Sequence, residues 1–470
     1  MQKPDIFIGG EWIPSEGRAF VDVVNPATEE TIAQVVKGTA ADVDKAARAA
    51  ADAFPAWSQT PVAERAAIFM RLSETLEARS DVLTDLGTRE VGQPISQVRK
   101  LQTGGAVEEL KLIGQFAQEV AWEETAGGAV VRRVPSGVVG CITAWNGPLR
   151  SVISKAGAAL VAGNTVVVKP SEVAPLTAYE FTLAAAEAGL PPGVLNLVSG
   201  TGPEVGEAIV DHPLVDMVSL TGSVRAGQRV MEVASRQVKR VHLELGGKSA
   251  NILLDGADYE TAVRVGLEDA FRNAGQVCGG LTRLLAPRAK LAEIEAMAVS
   301  IAEGFRIGDP FDESTTLGPV KTATQRDRVR NYIRIGMDEG ARLLTGGDTA
   351  PEGLHRGYFV RPTVFSGNNS MRIAREEIFG PVVVIIPHDG PENAIRIAND
   401  SDYGLAGAVW AAEAEEARAI ARQLRTGRIR INGAPLEKRA THGGFKLSGF
   451  GREWGRYGIE EFTELQSIIG

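Results

Sequence analysis

The sequence predicts an α/β protein built from two doubly wound domains, and three features point there. From about residue 137 onward, short runs rich in Val, Ile and Leu alternate with helix-length amphipathic stretches. That alternation is the pattern of parallel sheets wound by right-handed crossovers. At 470 residues the chain predicts two to three domains. Hydrophobic residues at 44% and charged residues at 23% supply globular cores without the polarity of a disordered chain.

The elements follow in order. Residues 5–36 read as short strands and turns. Thr39 caps an expected helix over 42–54, whose Val43, Ala46, Ala47, Ala50 and Phe54 share one face. Pro61 opens a second helix reaching Arg79, and a third, long and amphipathic, spans 95–120. This helical block has a structural role and no chemistry of its own. Strands are then expected at 137–144, 165–169, 194–198, 217–220 and 239–243, with helices at 148–162, 175–189, 202–211 and 223–236. In outline this is a dinucleotide-binding unit. A second unit has strands at 251–254, 282–287, 382–386, 404–410 and 427–432, with helices at 259–274 and 289–304. Stretches 308–318 and 343–361 read as turn-rich loops. Residues 129–135 and 462–468 read as strands standing apart from both units, each an exposed edge that another chain would cover.

Composition excludes several classes of function. A net charge of −9 argues against nucleic acid as the main partner. No apolar run approaches the ~18 residues of a membrane span, and Met1-Gln2-Lys3-Pro4-Asp5 does not begin a signal peptide. Cys141 and Cys278 are too few for a disulfide framework, so a cytoplasmic location is expected. The five histidines show no metal-ligand spacing, and no structural metal is expected.

Candidate chemistry centres on Cys278. Gly275, Gly279 and Gly280 around it leave the backbone uncovered, so a substrate can approach both the sulfur and nearby N–H groups. Most free cysteines are small buried hydrophobes, so a nucleophile needs partners elsewhere. Glu244 ends an apolar strand before paired glycines, and Asn146 ends another. The segments ELGGKSANI, GQVC, WNGPL, VVKPSE, SLTGS, EEIFGPV and GGFKLSGFGREWG stand in this order. Together they resemble the aldehyde dehydrogenase superfamily, of the NAD(P)-dependent, hydrolytic, non-acylating type, from about Asn25 to the C-terminus.

The resemblance implies two doubly wound domains, one Rossmann-like and one catalytic, plus a small β arm for oligomerisation. Its boundaries would be 1–120 with 136–246 for cofactor, 247–445 for catalysis, and 121–135 with 446–470 for assembly into a homodimer or homotetramer. Cys278 would attack an aldehyde, and the Asn146 amide with the Cys278 N–H would hold the oxyanion. Glu244 would activate the water that hydrolyses the thioester. Losing one oxyanion donor costs about 2.7–4 kcal/mol.

Carried over by position, Lys169, Ser171 and Glu172 would meet the adenosine ribose. Gly222 and Ser223 replace a missing G-x-G-x-x-G fingerprint at a helix N-terminus. Trp145, Leu245, Gly246, Glu377 and Phe379 complete the cofactor contacts, and Lys155 matches a lysine near the active site. A carboxylate at Glu172 favours NAD over NADP. The substrate wall departs from the usual pattern at Gly147, Arg150, Ser151, Ser154, Arg272, Val277 and His442, and predicts a roomier, more polar pocket. Arg150 and Arg272 either meet an anionic group on the substrate or pair with Asp269, Glu268 or other surface acids of the chain. The competing functions are a CoA-acylating semialdehyde dehydrogenase, against which Glu244 argues, and a non-catalytic member of the fold.

Overall fold

The computed structural model describes residues 2–470, and two large sheets organise it. The centre of the first holds five parallel strands in the spatial order Arg240–Glu244, Met217–Thr221, Val138–Ile142, Thr165–Lys169 and Leu195–Leu197. Chain order reverses between Val138–Ile142 and Met217–Thr221. In such sheets ligands bind outside the carboxyl ends of the strands at that reversal. Every residue of Val138–Ile142 and Thr165–Lys169 is buried. Burial on both faces is why these strands stand out in the sequence as continuous apolar runs. Asp5–Ile8 and Glu11–Pro14 add an antiparallel edge at one side, and Gly449–Phe450 adds another beside Glu244.

The second sheet runs Arg342–Thr345, Thr363–Ser366, Val382–His388, Arg283–Pro287, Ala250–Leu253, Ala406–Trp410 and Arg428–Ile431. All pairs are parallel except the first. A separate antiparallel sheet joins Glu123–Ala126, Ala129–Pro135 and Thr463–Ile469. The C-terminal segment 446–470 is therefore not all arm. Its start pairs with the first sheet, and only Thr463–Ile469 reaches the third.

The helices also differ in part from expectation. Ala40–Gln59 forms with a reciprocal Thr39–Asp42 capping box and runs past Pro55. The third helix is not continuous: a short turn at Ile95–Gln97 widens into a π-type coil over Val98–Gly104 before Gly105–Phe116. Ser80–Val91 and Ala323–Asp338 are helices the sequence reading left out, and 343–361 contributes Leu343–Thr345 to a strand. Among the described residues no helix is long and apolar enough to cross a membrane.

Candidate active site

Five candidate residues lie at the carboxyl ends of the first sheet. Asn146 follows Val138–Ile142, Lys169 ends its strand, Gly222 and Ser223 follow Met217–Thr221, and Glu244 ends Arg240–Glu244. Cys278 comes from the second unit, on the loop between the helix Tyr259–Phe271 and the strand Arg283–Pro287.

The cysteine loop is held by unusual backbone. Asn273, Ala274 and Gly275 all have positive φ, at 51°, 54° and 73°. Two consecutive non-glycine residues there carry strain that surrounding contacts must hold. Gly275 is required twice over, because a Cβ at that position would lie 2.1 Å from the carbonyl of Gly380. Gln276 pins the loop from inside: its Nε2 donates to Asn273 O at 2.8 Å, and its Oε1 accepts from Lys321 N at 2.7 Å. Asn146 ties this loop to the first sheet. Its Nδ2 donates to Gln276 O at 2.9 Å, while its own carbonyl accepts from Asn273 Nδ2 at 3.0 Å. A primary amide has two N–H donors, so one remains beyond the bond to Gln276 O. Cys278 itself is half-buried. Burial pushes its thiol up to about 12, the charges of Glu244 and Glu377 act the same way, and Arg428 opposes them.

Glu244 is 3% exposed, and neither carboxylate oxygen has a hydrogen-bond partner among the described residues. Burial and then the nearby Glu453 raise it well above the usual carboxylate range, against Lys155, Arg452 and Arg428. A buried, unpaired carboxylate of this kind is poised to take a proton rather than to brace the fold. Lys155 stands behind it, fully buried, donating to Ser219 Oγ and Glu453 Oε1 at 3.1 Å each.

The dinucleotide positions fit a cofactor on their own geometry. Lys169 Nζ and Glu172 Oε2 pair at 3.1 Å with Glu172 partly exposed, leaving its second oxygen to accept from hydroxyls. Ser171 is buried beside them. Ser223 Oγ caps the helix Val224–Ser235 through Ala226 N at 3.2 Å, with Gly222 ahead of it. Glu377 Oε1 accepts from Gly247 N at 3.1 Å, and burial lifts its carboxyl to about 7. A Cβ on Gly246 would lie 2.2 Å from Glu377 Oε2, so a glycine is needed for this approach. Trp145 packs edge-on to Phe379, which is itself left-handed at φ 60°, and Leu245 is buried next to Glu244.

The substrate-wall residues separate into groups. His442 lies in the site, its Nε2 3.4 Å from Glu244 Oε2. Gly147 faces Gln102, Val277 is half-buried beside Cys278, and Ser151 Oγ accepts from Ala144 N at 3.1 Å. Of the two readings for Arg150 and Arg272, pairing with the chain's own acids is the one found. Arg150 pairs with Glu109 at 3.3 Å, and Arg272 Nη2 stands 3.8 Å from Asp269 Oδ1. Ser154 also donates to Glu109. The helical block thus reaches the site after all, because Glu109 sits on the buried stripe of Gly105–Phe116 with Ala106, Leu110 and Ile113. An acid at a core position of an amphipathic helix was the available signal. Arg428 was also missed. It alternates with Ile429 in a strand expected to be buried, and its guanidinium meets His442 Nδ1 at 3.4 Å and the face of Trp454.

Two doubly wound units, with a loop cysteine, an amide donor and an unpaired buried carboxylate near the carboxyl ends of the first sheet, have the make-up of an enzyme. The signature of the aldehyde dehydrogenase family matches residues 12–468, and the chain belongs to that family. It is 45% identical to 3-succinoylsemialdehyde-pyridine dehydrogenase of a Pseudomonas species, covering 99% of this chain and 98% of that one. A variant of aldehyde dehydrogenase C from Pseudomonas syringae, solved with NAD+ and octanal, superposes with a TM-score of 0.98 at 44% identity, covering 99% of this chain and 96% of that one. An aldehyde dehydrogenase from Mycobacterium tuberculosis, solved with NAD+, gives a TM-score of 0.98 at 42% identity over 100% of this chain and 98% of that one.

Proposed function

We propose that the chain oxidises an aldehyde to its carboxylic acid with NAD, through a covalent adduct on Cys278 that water resolves. NAD, when bound, would supply the acceptor for the hydride lost from the aldehyde carbon. The protein's own residues do the rest. Cys278 loses its proton to solvent as its Sγ forms a bond to the aldehyde carbon, the carbonyl π pair moves onto oxygen, and the free N–H of the Asn146 amide holds that oxygen as it gains negative charge. After oxidation the carbon is a thioester. Glu244 takes a proton from water, the resulting oxygen bonds to the acyl carbon, and the carbon–sulfur bond breaks to return Cys278. Lys169, Ser171, Glu172, Gly222, Ser223 and Glu377 would hold the dinucleotide. The reaction needs a reduced thiol, which suits the cytoplasm.

One observation carries this assignment above the others: Glu244 is buried beside the nucleophile with both oxygens unpaired. A thioester passed to a thiol such as CoA would need no such base, and a structural member of the fold would gain nothing from its desolvation cost. Beside the site, Glu109, Ser154, Lys438 and Trp454 line a small cavity with Ile113 and Phe116, and only Glu109 and Lys438 among them are charged. A ring-bearing aldehyde is the substrate reading supported by the name of the Pseudomonas relative, 3-succinoylsemialdehyde-pyridine dehydrogenase.

The test is Glu244→Gln. Hydride transfer should proceed once, giving a burst of NADH, and turnover should then stall with an acyl group on Cys278 detectable by mass spectrometry. Steady turnover near the native rate without an adduct would remove Glu244 from this role. Cys278→Ala should lose oxidation entirely and keep NAD binding by calorimetry; a tenth of native activity in that variant refutes the covalent route.

A further inference from the structure

Glu244 stands between two imidazoles, and each ends a chain of donors that begins on a cation. Arg428 Nη1 meets His442 Nδ1 at 3.4 Å. Guanidinium has only N–H donors, so Nδ1 must accept and the ring proton resides on Nε2. That Nε2 lies 3.4 Å from Glu244 Oε2, longer than a settled hydrogen bond and within a small movement of one. The ring is fixed in plane by stacking on Trp454, with centroids 4.8 Å apart, and Arg428 covers the same indole. The other side repeats the arrangement. Lys155 Nζ donates to Ser219 Oγ at 3.1 Å, the Ser219 hydroxyl reaches His242 Nδ1 at 2.8 Å, and His242 Nε2 faces Glu244 Oε1 at 4.0 Å. Both Glu244 oxygens and His242 Nε2 are buried without other partners among the described residues.

We propose that His442, its tautomer locked by Arg428, is a positioning residue that offers Nε2–H to the Glu244 carboxylate and keeps that base aimed and ionisable, with His242 as a weaker second arm. This rests on Glu244 being the base of thioester hydrolysis. Burial, then Arg428 and Arg150, hold the His442 imidazolium well below its ordinary range, so the ring acts as a neutral donor and not as a counter-ion. His242 is held neutral the same way by burial and Lys155. Among the charges facing Glu244, Glu453 raises its carboxyl, and Lys155, Arg452 and Arg428 lower it. A hydrogen bond donated to the ionised form lowers it further. Removing that donor must raise it, and the acid limb of hydrolysis must move to higher pH.

The experiment follows decay of the acyl-enzyme by rapid-quench mass spectrometry from about pH 5.5 to about pH 9, which separates hydrolysis from the titration of Cys278. His442→Phe should move the acid limb up by about one pH unit, a tenfold slower decay on the acid side. His442→Gln, whose amide donates from a similar place, should stay near native, and Arg428→Met should move the limb in the same direction as Phe. If His442→Phe does not fold, His442→Leu takes its place. An unmoved limb in the Phe or Leu variant overturns the proposal, as does a Gln variant displaced as far as Phe, since a packing role alone would produce that. Glu244→Gln, run alongside, separates the two levels. Native decay there would refute the base itself, whereas a stalled Glu244→Gln with an unmoved His442 limb refutes only the histidine's part.

Discussion

Glu172 shows how one side chain sets a preference. Its carboxylate is tethered to Lys169 at 3.1 Å, and the buried lysine is pushed below its usual range chiefly by its own desolvation. An acid fixed there accepts from a ribose diol and repels a 2′-phosphate. Two like charges about 4 Å apart near a protein surface cost roughly 4 kcal/mol before screening, enough for a large preference. NAD should therefore have the higher kcat/KM, and Glu172→Gln should raise the relative efficiency with NADP at least about tenfold. Equal native efficiency with both cofactors would mean that Glu172 points away from the ribose. At this scale the sequence was most informative where chemistry depends on a residue beside a glycine turn. Glycine turns drew attention to Cys278, Glu244 and Asn146, whose roles came from the resemblance in motif order, and Asn146 Nδ2 donates to Gln276 O within the cysteine loop. Glu109 showed only as an acid at a core position of a helix, and the roles of Glu109 and Arg428 come from partners on other elements, Arg150 for one and His442 for the other.

At the scale of elements, the short buried strands other than Thr363–Ser366, which was not expected, were legible to within a residue or two, since burial on both faces leaves an unbroken apolar run. The helix Ala323–Asp338 was not. It buries only Val329, Tyr332, Ile333 and Gly336, and the arginines between them mask the stripe. The break at Val98–Gly104 was likewise invisible, because a widened turn keeps nearly the same apolar spacing as an α-helix. One contact between elements gives a stability prediction. The helix Leu176–Glu187 has no side-chain cap of its own at Pro175. Glu90, on Ser80–Val91 and fully buried, supplies one by accepting from Leu176 N at 2.8 Å and Thr177 N at 3.2 Å. Glu90→Ala leaves two buried N–H groups without an acceptor and should cost about 3 kcal/mol, read as a lower urea midpoint at unchanged m-value. A loss under about 0.5 kcal/mol would mean that water replaces the carboxylate without penalty.

For the whole molecule, the arm raises the question of what covers it. Thr463–Ile469 pairs with Ala129–Pro135 along its full length and forms one outer edge of a three-stranded sheet. Its other edge carries unpaired backbone donors and acceptors, the kind of edge that templates pairing with another chain. The alternation along this strand places Leu465, Ser467 and Ile469 on one face, with Leu465 62% and Ile469 83% exposed. Full burial of such a side chain contributes about 1.5–3 kcal/mol, so two copies of this face meeting across a symmetry axis would gain several times that. Nucleophile, base and dinucleotide positions all come from within one chain, so assembly through the arm would stabilise the enzyme without completing its chemistry. We expect a dimer or tetramer by sedimentation, and the double variant Leu465→Lys, Ile469→Lys should sediment as a smaller species while keeping the NADH burst. A native protein that sediments as a monomer, or a double variant of unchanged size, would show that this edge is not what holds the subunits together.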